Sequence, residues 1–275
     1  ALALCALALA SSCNGEADPI PVGGLTVLAT DAPIDPALVE DAKVWVDQVR
    51  IHADVAGSSG FHELYAGAPI ELDLDDLRGG VTAHLLDADL PAGTYGQLRL
   101  RVTEARLELT NGNVYTTQAG DLDLTSQGTS GFKVLLEPPV EVRAGLDRTL
   151  VLDFDLSKTY LPIPASDPLA ATSYKLLPVI HTAVLEESGI LGGVVTELAT
   201  SLPVEGATVY LLPPGETDTA EAVATTGSIT NGNYAFLAVQ AGTYDVFAVS
   251  DALEDRVDGV PVVEGILNVV DLALE

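Results

Sequence analysis

Apolar and polar positions alternate with period two through most of the chain, and amphipathic helical periodicity is scarce. A first strand opens at residues 25–28. Val44, Val46, Gln48 and Arg50 then alternate with Trp45, Asp47, Val49 and Ile51, and residues 57–60 predict a hairpin loop leading into residues 61–65. Further strands are predicted at 70–74, 81–86, 114–117, 132–136, 150–156 and 175–185. One helical turn is expected at 36–41, and residues 75–86 are expected to be partly helical. The run 94–109 is long and unusually basic. Leu98, Leu100 and Val102 occupy even positions in it, whereas Ala105, Leu107 and Leu109 occupy odd ones. A one-residue slip turns the opposite face inward unless a bulge absorbs it, so a β-bulge or sheet-switching bend is predicted near Thr103 and Glu104.

The pattern restarts after residues 186–189. Strands are predicted at 192–197, 207–212, 221–225, 234–237, 243–249 and 268–274, with an acidic loop at 250–258. Short strands at this spacing, punctuated by Gly and Pro, predict an all-β chain of two β-sandwich domains, residues 24–186 and 189–275. Two phrases recur: Ala92-Gly93-Thr94-Tyr95 returns at residues 241–244, and Thr110-Asn111-Gly112-Asn113 at residues 230–233. Their order is reversed between the halves, so they read as shared turn chemistry rather than a duplication.

Residues 1–10 are wholly apolar and are followed by Ser11, Ser12 and Cys13. Small residues before a cysteine resemble the end of a bacterial lipoprotein signal, which makes residues 1–13 a signal remnant and Cys13 the expected lipidation site. Acyl chains there would anchor the protein in a membrane, each buried CH2 contributing about 0.8 kcal/mol. Residues 14–23 are polar and rich in Pro and Gly, as a tether would be. The expected location is therefore exported and lipid-anchored, at the outer membrane or cell surface.

Cys5 and Cys13 are the only cysteines, so residues beyond 13 cannot build a disulfide framework or a thiolate metal site. Twelve basic and 40 acidic residues give a net charge of −28, which excludes nucleic acid as an expected partner and suits salty water. From Glu186 onward, Arg256 is the only basic residue.

No catalytic-elbow, zinc-helix, phosphate-loop or EF-hand motif occurs. No catalytic residues are assigned, and the chain is expected not to be an enzyme. Hard oxygen ligands crowd two places, Asp73 with Asp75 and Asp76, and Asp251 with Glu254, Asp255 and Asp258. Calcium is the one cofactor they suggest, with solvated carboxylates as the alternative. Asp121 and Asp123 form a smaller group. His52 and His62 flank one hairpin and are candidates to face each other. Asp153 and Asp155 share one strand face, with Leu152 and Phe154 on the other and Lys158 and Lys175 as candidate partners. Tyr160 is the aromatic most expected to be exposed, and with Leu161 and Ile163 it would form an apolar contact loop.

Residues 24–186 resemble the domain-of-unknown-function 4382 family of exported bacterial and archaeal proteins. The resemblance lies in Thr30-Asp31-Ala32-Pro33, residues 90–95 leading to Leu98-Arg99-Leu100, Gly131-Phe132-Lys133, residues 152–155 and residues 174–180. It implies a β-sandwich surface domain without assigned chemistry. Residues 189–275 resemble the carboxypeptidase regulatory-like family through residues 203–211, 231–236 and 241–246. That resemblance implies a small transthyretin-like (prealbumin-like) sandwich without catalysis. Two functions are expected: a noncatalytic surface protein that binds an extracellular glycan or protein or acts as a spacer, and a structural subunit that self-assembles through strand edges.

Overall fold

The computed structural model describes residues 20–32, 38–55, 58–124 and 131–275. The signal remnant with Cys13, most of the tether and Pro36 lie outside these residues.

In chain order the first strands are β1 (Val22–Ala32), β2 (Val39–Val55), β3 (Ser58–Asp73), β4 (Ala83–Pro91), β5 (Gly93–Leu109) and β6 (Val114–Thr116). Then come β7 (Leu122–Asp123), β8 (Phe132–Val142), β9 (Asp147–Asp155), β10 (Tyr160–Ile163), β11 (Ser173–Leu176) and β12 (Ile180–Val184). One sheet has the order β12-β9-β1-β4, with β1 and β9 parallel. A second has the order β3-β2-β5-β6, with β8 on the other half of β5, and β10-β11-β7 form a small third sheet. One continuous apolar core joins them, including Val27, Val46, Ile51, Leu98, Leu107, Leu152 and Tyr174.

The second unit contains β13 (Ser188–Glu197), β14 (Thr208–Leu212), β15 (Ala224–Gly227), β16 (Asn233–Gln240), β17 (Gly242–Ser250), β18 (Leu253–Val262), β19 (Leu267–Val269) and β20 (Leu272–Leu274). Sheet β16-β13-β19, with β20 also on β13, faces sheet β15-β14-β17-β18. Leu191, Val209, Phe236, Val246 and Leu272 fill the space between. The chain is thus all-β, in two sandwiches with separate cores.

Several elements differ from their expected form. Residues 175–185 are two strands in different sheets. Pro178 cannot continue a ladder, so the chain leaves β11 at Leu176 and crosses to pair β12 with β9. The expected acidic loop 250–258 is mostly strand β18. Its hairpin closes in two residues because Asp251 takes φ 52°, a conformation Asp tolerates. The β2–β3 hairpin pairs Val55 with Ser58, which draws Ser58 to Gly60 into the strand. Residues 39–41, expected in a helical turn, begin β2. The helical expectation at 75–86 holds for a 3-10 turn, Asp75–Gly80.

That turn packs the first unit on the second. Gly79 and Gly80 have φ of 69° and 84°, and a Cβ at Gly80 would lie 2.8 Å from the Cβ of Ala235. Only glycine permits both this backbone and this approach to β16.

Candidate interdomain site

A cleft of about 610 Å³ opens between the two sandwiches. Strands β8, β9 and β12 form one wall and contribute Lys133, Leu135, Asp153 and His181. Strands β14 to β17 form the other, with Leu211, Val239 and Tyr244 among the lining. The walls mix apolar side chains with polar ones, Glu137, Thr182 and Gln240 joining Lys133, Asp153, His181 and Tyr244.

Period-two geometry places the acid. Leu152 and Phe154 point into the core, so Asp153 points out of the sheet toward the second unit. Thr30, Asp153 and His181 form a row across β1, β9 and β12. Asp153 is half-buried, and burial, reinforced by the Asp155 carboxylate, pushes its pKa up to about 7. Asp155 itself is buried and ion-paired with Lys158 at 3.2 Å. Partial burial lowers the pKa of His181, although Asp155 opposes the shift. Lys175, the other expected partner, lies opposite Asp123 in the small sheet instead. Thr182, also on the wall, has its hydroxyl committed to the Leu135 carbonyl at 3.3 Å. The arrangement holds a neutral or singly charged acid beside an imidazole, with no activated nucleophile between them.

The contact loop needs correction. Tyr160 is buried at 7% exposure because β10 pairs with β11 and turns it into the core, while Leu161 and Ile163 project outward at 41% and 46%. His52 and His62 lie on opposite faces of their hairpin. His62 pairs across with the buried Ile51, and His52 packs edge-on against Phe61 at 5.0 Å.

The acidic candidates are spread through structural contacts. Asp73 holds Lys43 at 2.5 Å, and Asp75 and Asp76 open the 3-10 turn. Asp251 makes the β17–β18 turn, while the Glu254 backbone exchanges hydrogen bonds with Glu275. Asp255 accepts from the Ala273 amide at 2.7 Å, and Asp258 pairs with Arg256 at 2.5 Å. Among the described residues no three His, Cys, Asp or Glu side chains gather as a metal site.

Sequence reasoning missed one buried ionic centre. Arg256 reaches Asp245 at 2.6 Å and the Glu216 carbonyl at 2.7 Å, and the Gly215 and Gly259 amides also donate to Asp245. Burial alone would raise the Asp245 pKa. The two amides and the guanidinium outweigh it and hold the carboxyl below its ordinary value. The available signal was that Arg256 is the only base in an otherwise acidic unit.

Residues 22–177 match the family described as Domain of unknown function (DUF4382). The chain belongs to that family. The matched segment runs from β1 through β11 and includes Asp153, whereas His181 and the second wall of the cleft lie beyond it. The carboxypeptidase regulatory-like reading of residues 189–275 gains no support from the match.

Among solved structures, a streptococcal ancillary pilin overlaps at TM-score 0.24 and 11% identity, over 94% of this chain and 63% of that one. The minor pilin GBS52 of Streptococcus agalactiae gives 0.23 and 10%, over 90% and 94% of the two chains. Shaft pilin spaA of Lactobacillus rhamnosus GG gives 0.26 and 10%, over 92% and 98%. Overlaps this slight carry no inference about fold or function. A search of curated proteins found no match.

Proposed function

We propose that this protein is a noncatalytic surface protein whose interdomain cleft receives an extracellular ligand, a glycan or a segment of another protein. The cleft carries the reading: it has a volume of about 610 Å³, the size of a small binding site, and combines apolar side chains with Lys133, Glu137, Asp153, His181 and Gln240, groups that can recognise a polar ligand. The committed Thr182 hydroxyl and the lack of a serine or cysteine on the walls favour binding over nucleophilic catalysis. Acylation at Cys13 would hold the protein at the membrane, and mass analysis of the mature N-terminus compared with a Cys13→Ser variant tests that step. The cleft is tested by a glycan and peptide array probed with the protein and with Ala238→Trp, which fills the cavity. Hits lost in the variant support the reading, and hits unchanged by it refute the cleft as the site.

A second reading, assembly through strand edges, has its own observation. Strand β19 ends its sheet, and Leu267 and Val269 on it are 59% and 65% exposed, next to exposed Ile266. An apolar sheet edge is a template for pairing with another chain. Light scattering after size exclusion in high salt decides it. A polymer that disappears in Val269→Lys supports assembly, and a monomer at all concentrations rejects it.

A further inference from the structure

The tetrapeptide Thr-Asn-Gly-Asn occurs at residues 110–113 and again at residues 230–233, and it folds the same way twice. Its glycine takes positive φ in both places, 84° at Gly112 and 76° at Gly232. Each glycine amide donates to the carbonyl three residues upstream, Leu109 at 2.8 Å and Ile229 at 2.6 Å. The surroundings differ. Gly112 is exposed, and nothing lies within 4 Å of where a Cβ would stand. Gly232 is buried, and its carbonyl accepts from the Val195 amide on β13 at 2.8 Å. A Cβ there would meet the Val195 carbonyl oxygen at 2.5 Å and the Pro203 Cβ at 3.1 Å.

Asparagine is a thermally labile residue, and a following glycine leaves its side chain open to the next backbone nitrogen, since no Cβ obstructs the approach. The glycine nitrogen gives up its proton and bonds to the asparagine Cγ, the Cγ–Nδ2 bond breaks, and ammonia leaves with that proton. Water then opens the cyclic imide at either carbonyl and yields aspartate or isoaspartate. Ring closure requires the Asn-Gly peptide unit to rotate out of the turn. At Asn231 the rotation pulls Gly232 away from Val195, so it waits for the end of β13 to open. At Asn111 it breaks two exposed bonds, Nδ2 to the Leu169 carbonyl at 2.8 Å and the Asn113 amide to Oδ1 at 3.0 Å. Asn231 has a counterpart of the second, from the Asn233 amide at 3.2 Å. The extra side-chain bond of Asn111 slows ring closure by roughly tenfold at most, whereas opening a core strand is rarer by several powers of ten. The backbone lock at Gly232 therefore outweighs the side-chain tether at Asn111.

We infer that Asn111 is a site of spontaneous deamidation and that the fold shields Asn231 from the same reaction. Conversion adds one negative charge and replaces the Nδ2 donor with an oxygen that faces the Leu169 carbonyl. The 3-10 turn Pro168–Ala170 then loses its tie to the β5–β6 turn. The site belongs to the first sandwich and is independent of both the cleft and the β19 edge.

Incubation of the whole protein in mildly alkaline, ¹⁸O-labelled water, followed by peptide mass analysis, tests the inference. A sample in urea is the reference, because the two tetrapeptides are identical and differ only in their folded surroundings. With each rate divided by its rate in urea, Asn111 should convert at least about tenfold faster than Asn231, with label incorporated and isoaspartate among the products. Equal ratios, a larger ratio for Asn231, or an Asn111 that stays intact while the urea sample converts would each overturn it. Hydrogen exchange of an Asn111→Asp variant reads the structural consequence. The Ala170 and Ala171 amides, which donate to Asp167 and Pro168, should exchange at least about twofold faster than in the parent. Unchanged exchange would overturn the release of the turn.

Discussion

Asp47 on β2 and Thr103 on β5 are left out of the same ladder at the same point, on either side of the Val46–Val102 pair. Each strand therefore gains one residue, the register beyond is unchanged, and both strands exchange their buried face together. On β2 the buried residues pass from Ala42, Val44 and Val46 to Val49, Ile51 and Ala53. On β5 they pass from Leu109, Leu107 and Ala105 to Val102, Leu100 and Leu98. Asp47 accepts both donors of Arg101, at 2.6 and 2.8 Å, beside the switch.

Deleting Thr103 should abolish cooperative folding, whereas Thr103→Ser should change stability by less than about 0.5 kcal/mol. The deletion turns Leu98, Leu100 and Val102 outward or forces the other half of the strand to do so. Each such side chain contributes about 1.5–3 kcal/mol, and the sum rivals the whole stability of an ordinary domain. Urea unfolding followed by circular dichroism distinguishes the two variants; a sigmoidal transition in the deletion would refute paired bulges.

The β5 half of this switch was legible as a change of parity in the apolar positions, and the same parity change is present on β2 between Val46 and Val49. On β2 the change is masked, because Trp45 puts an apolar residue among the outward positions and the polar pair Asp47 and Gln48 sits at the switch itself, so a single alternation can be drawn through Val44 to Ile51. The recurring turn phrases were also legible. Tyr95 and Tyr244 each donate to the carbonyl four residues upstream, Pro91 and Gln240, and Asn111 and Asn231 each accept from the amide two residues on. Local turn chemistry is encoded in adjacent residues. The cleft is not, because Asp153, Leu211 and Val239 meet only through the docking of two sandwiches. Tyr160 misled for a related reason: its prolines suggested a loop, but pairing with β11 is a contact with residues more than ten positions away.

Gly193→Ala should destabilise the second sandwich by about 2–3 kcal/mol. A Cβ there would lie 1.9 Å from the Val270 carbonyl oxygen, and Tyr234 donates to that same oxygen at 2.6 Å. Neither backbone nor tyrosine can retreat without separating β20 from β13. Thr196→Ser on the same strand, which keeps the hydroxyl that donates to the Leu272 carbonyl at 3.3 Å, supplies the control. Thermal unfolding measures both, and a neutral Gly193→Ala would show that the two strands are less closely apposed.

Arg256→Met should cost about 3–5 kcal/mol, because it leaves Asp245 buried without its counter-ion. Replacing both members with Asp245→Asn and Arg256→Met should recover much of that loss, as the stranded charge is then gone. A double-mutant cycle by chemical denaturation gives the coupling; additive losses would mean that the pair does not act as a unit.

The acid in the cleft should give this protein a distinctive pH dependence. The Asp153 carboxyl has a native pKa of about 7, against 3.8 for the ordinary side chain, so over the interval between them the folded state holds a proton that the unfolded state has released. By linkage, its contribution to stability is greatest below about pH 4, declines as pH rises to about 7, and is constant above that. The ionised form faces Asp155 along β9, with Lys158 paired to Asp155 and His181 opposite on β12. His181 has a lowered pKa and therefore contributes the opposite slope over part of the same range. The informative quantity is thus the difference between Asp153→Asn and the parent. The asparagine variant should match the parent near pH 4, become progressively more stable by comparison up to about pH 7, and keep a constant advantage beyond. Melting temperatures of both proteins across this range, at fixed ionic strength, measure that difference. A curve flat with pH would place the Asp153 carboxylate in contact with solvent at its ordinary pKa and remove the acid from the cleft.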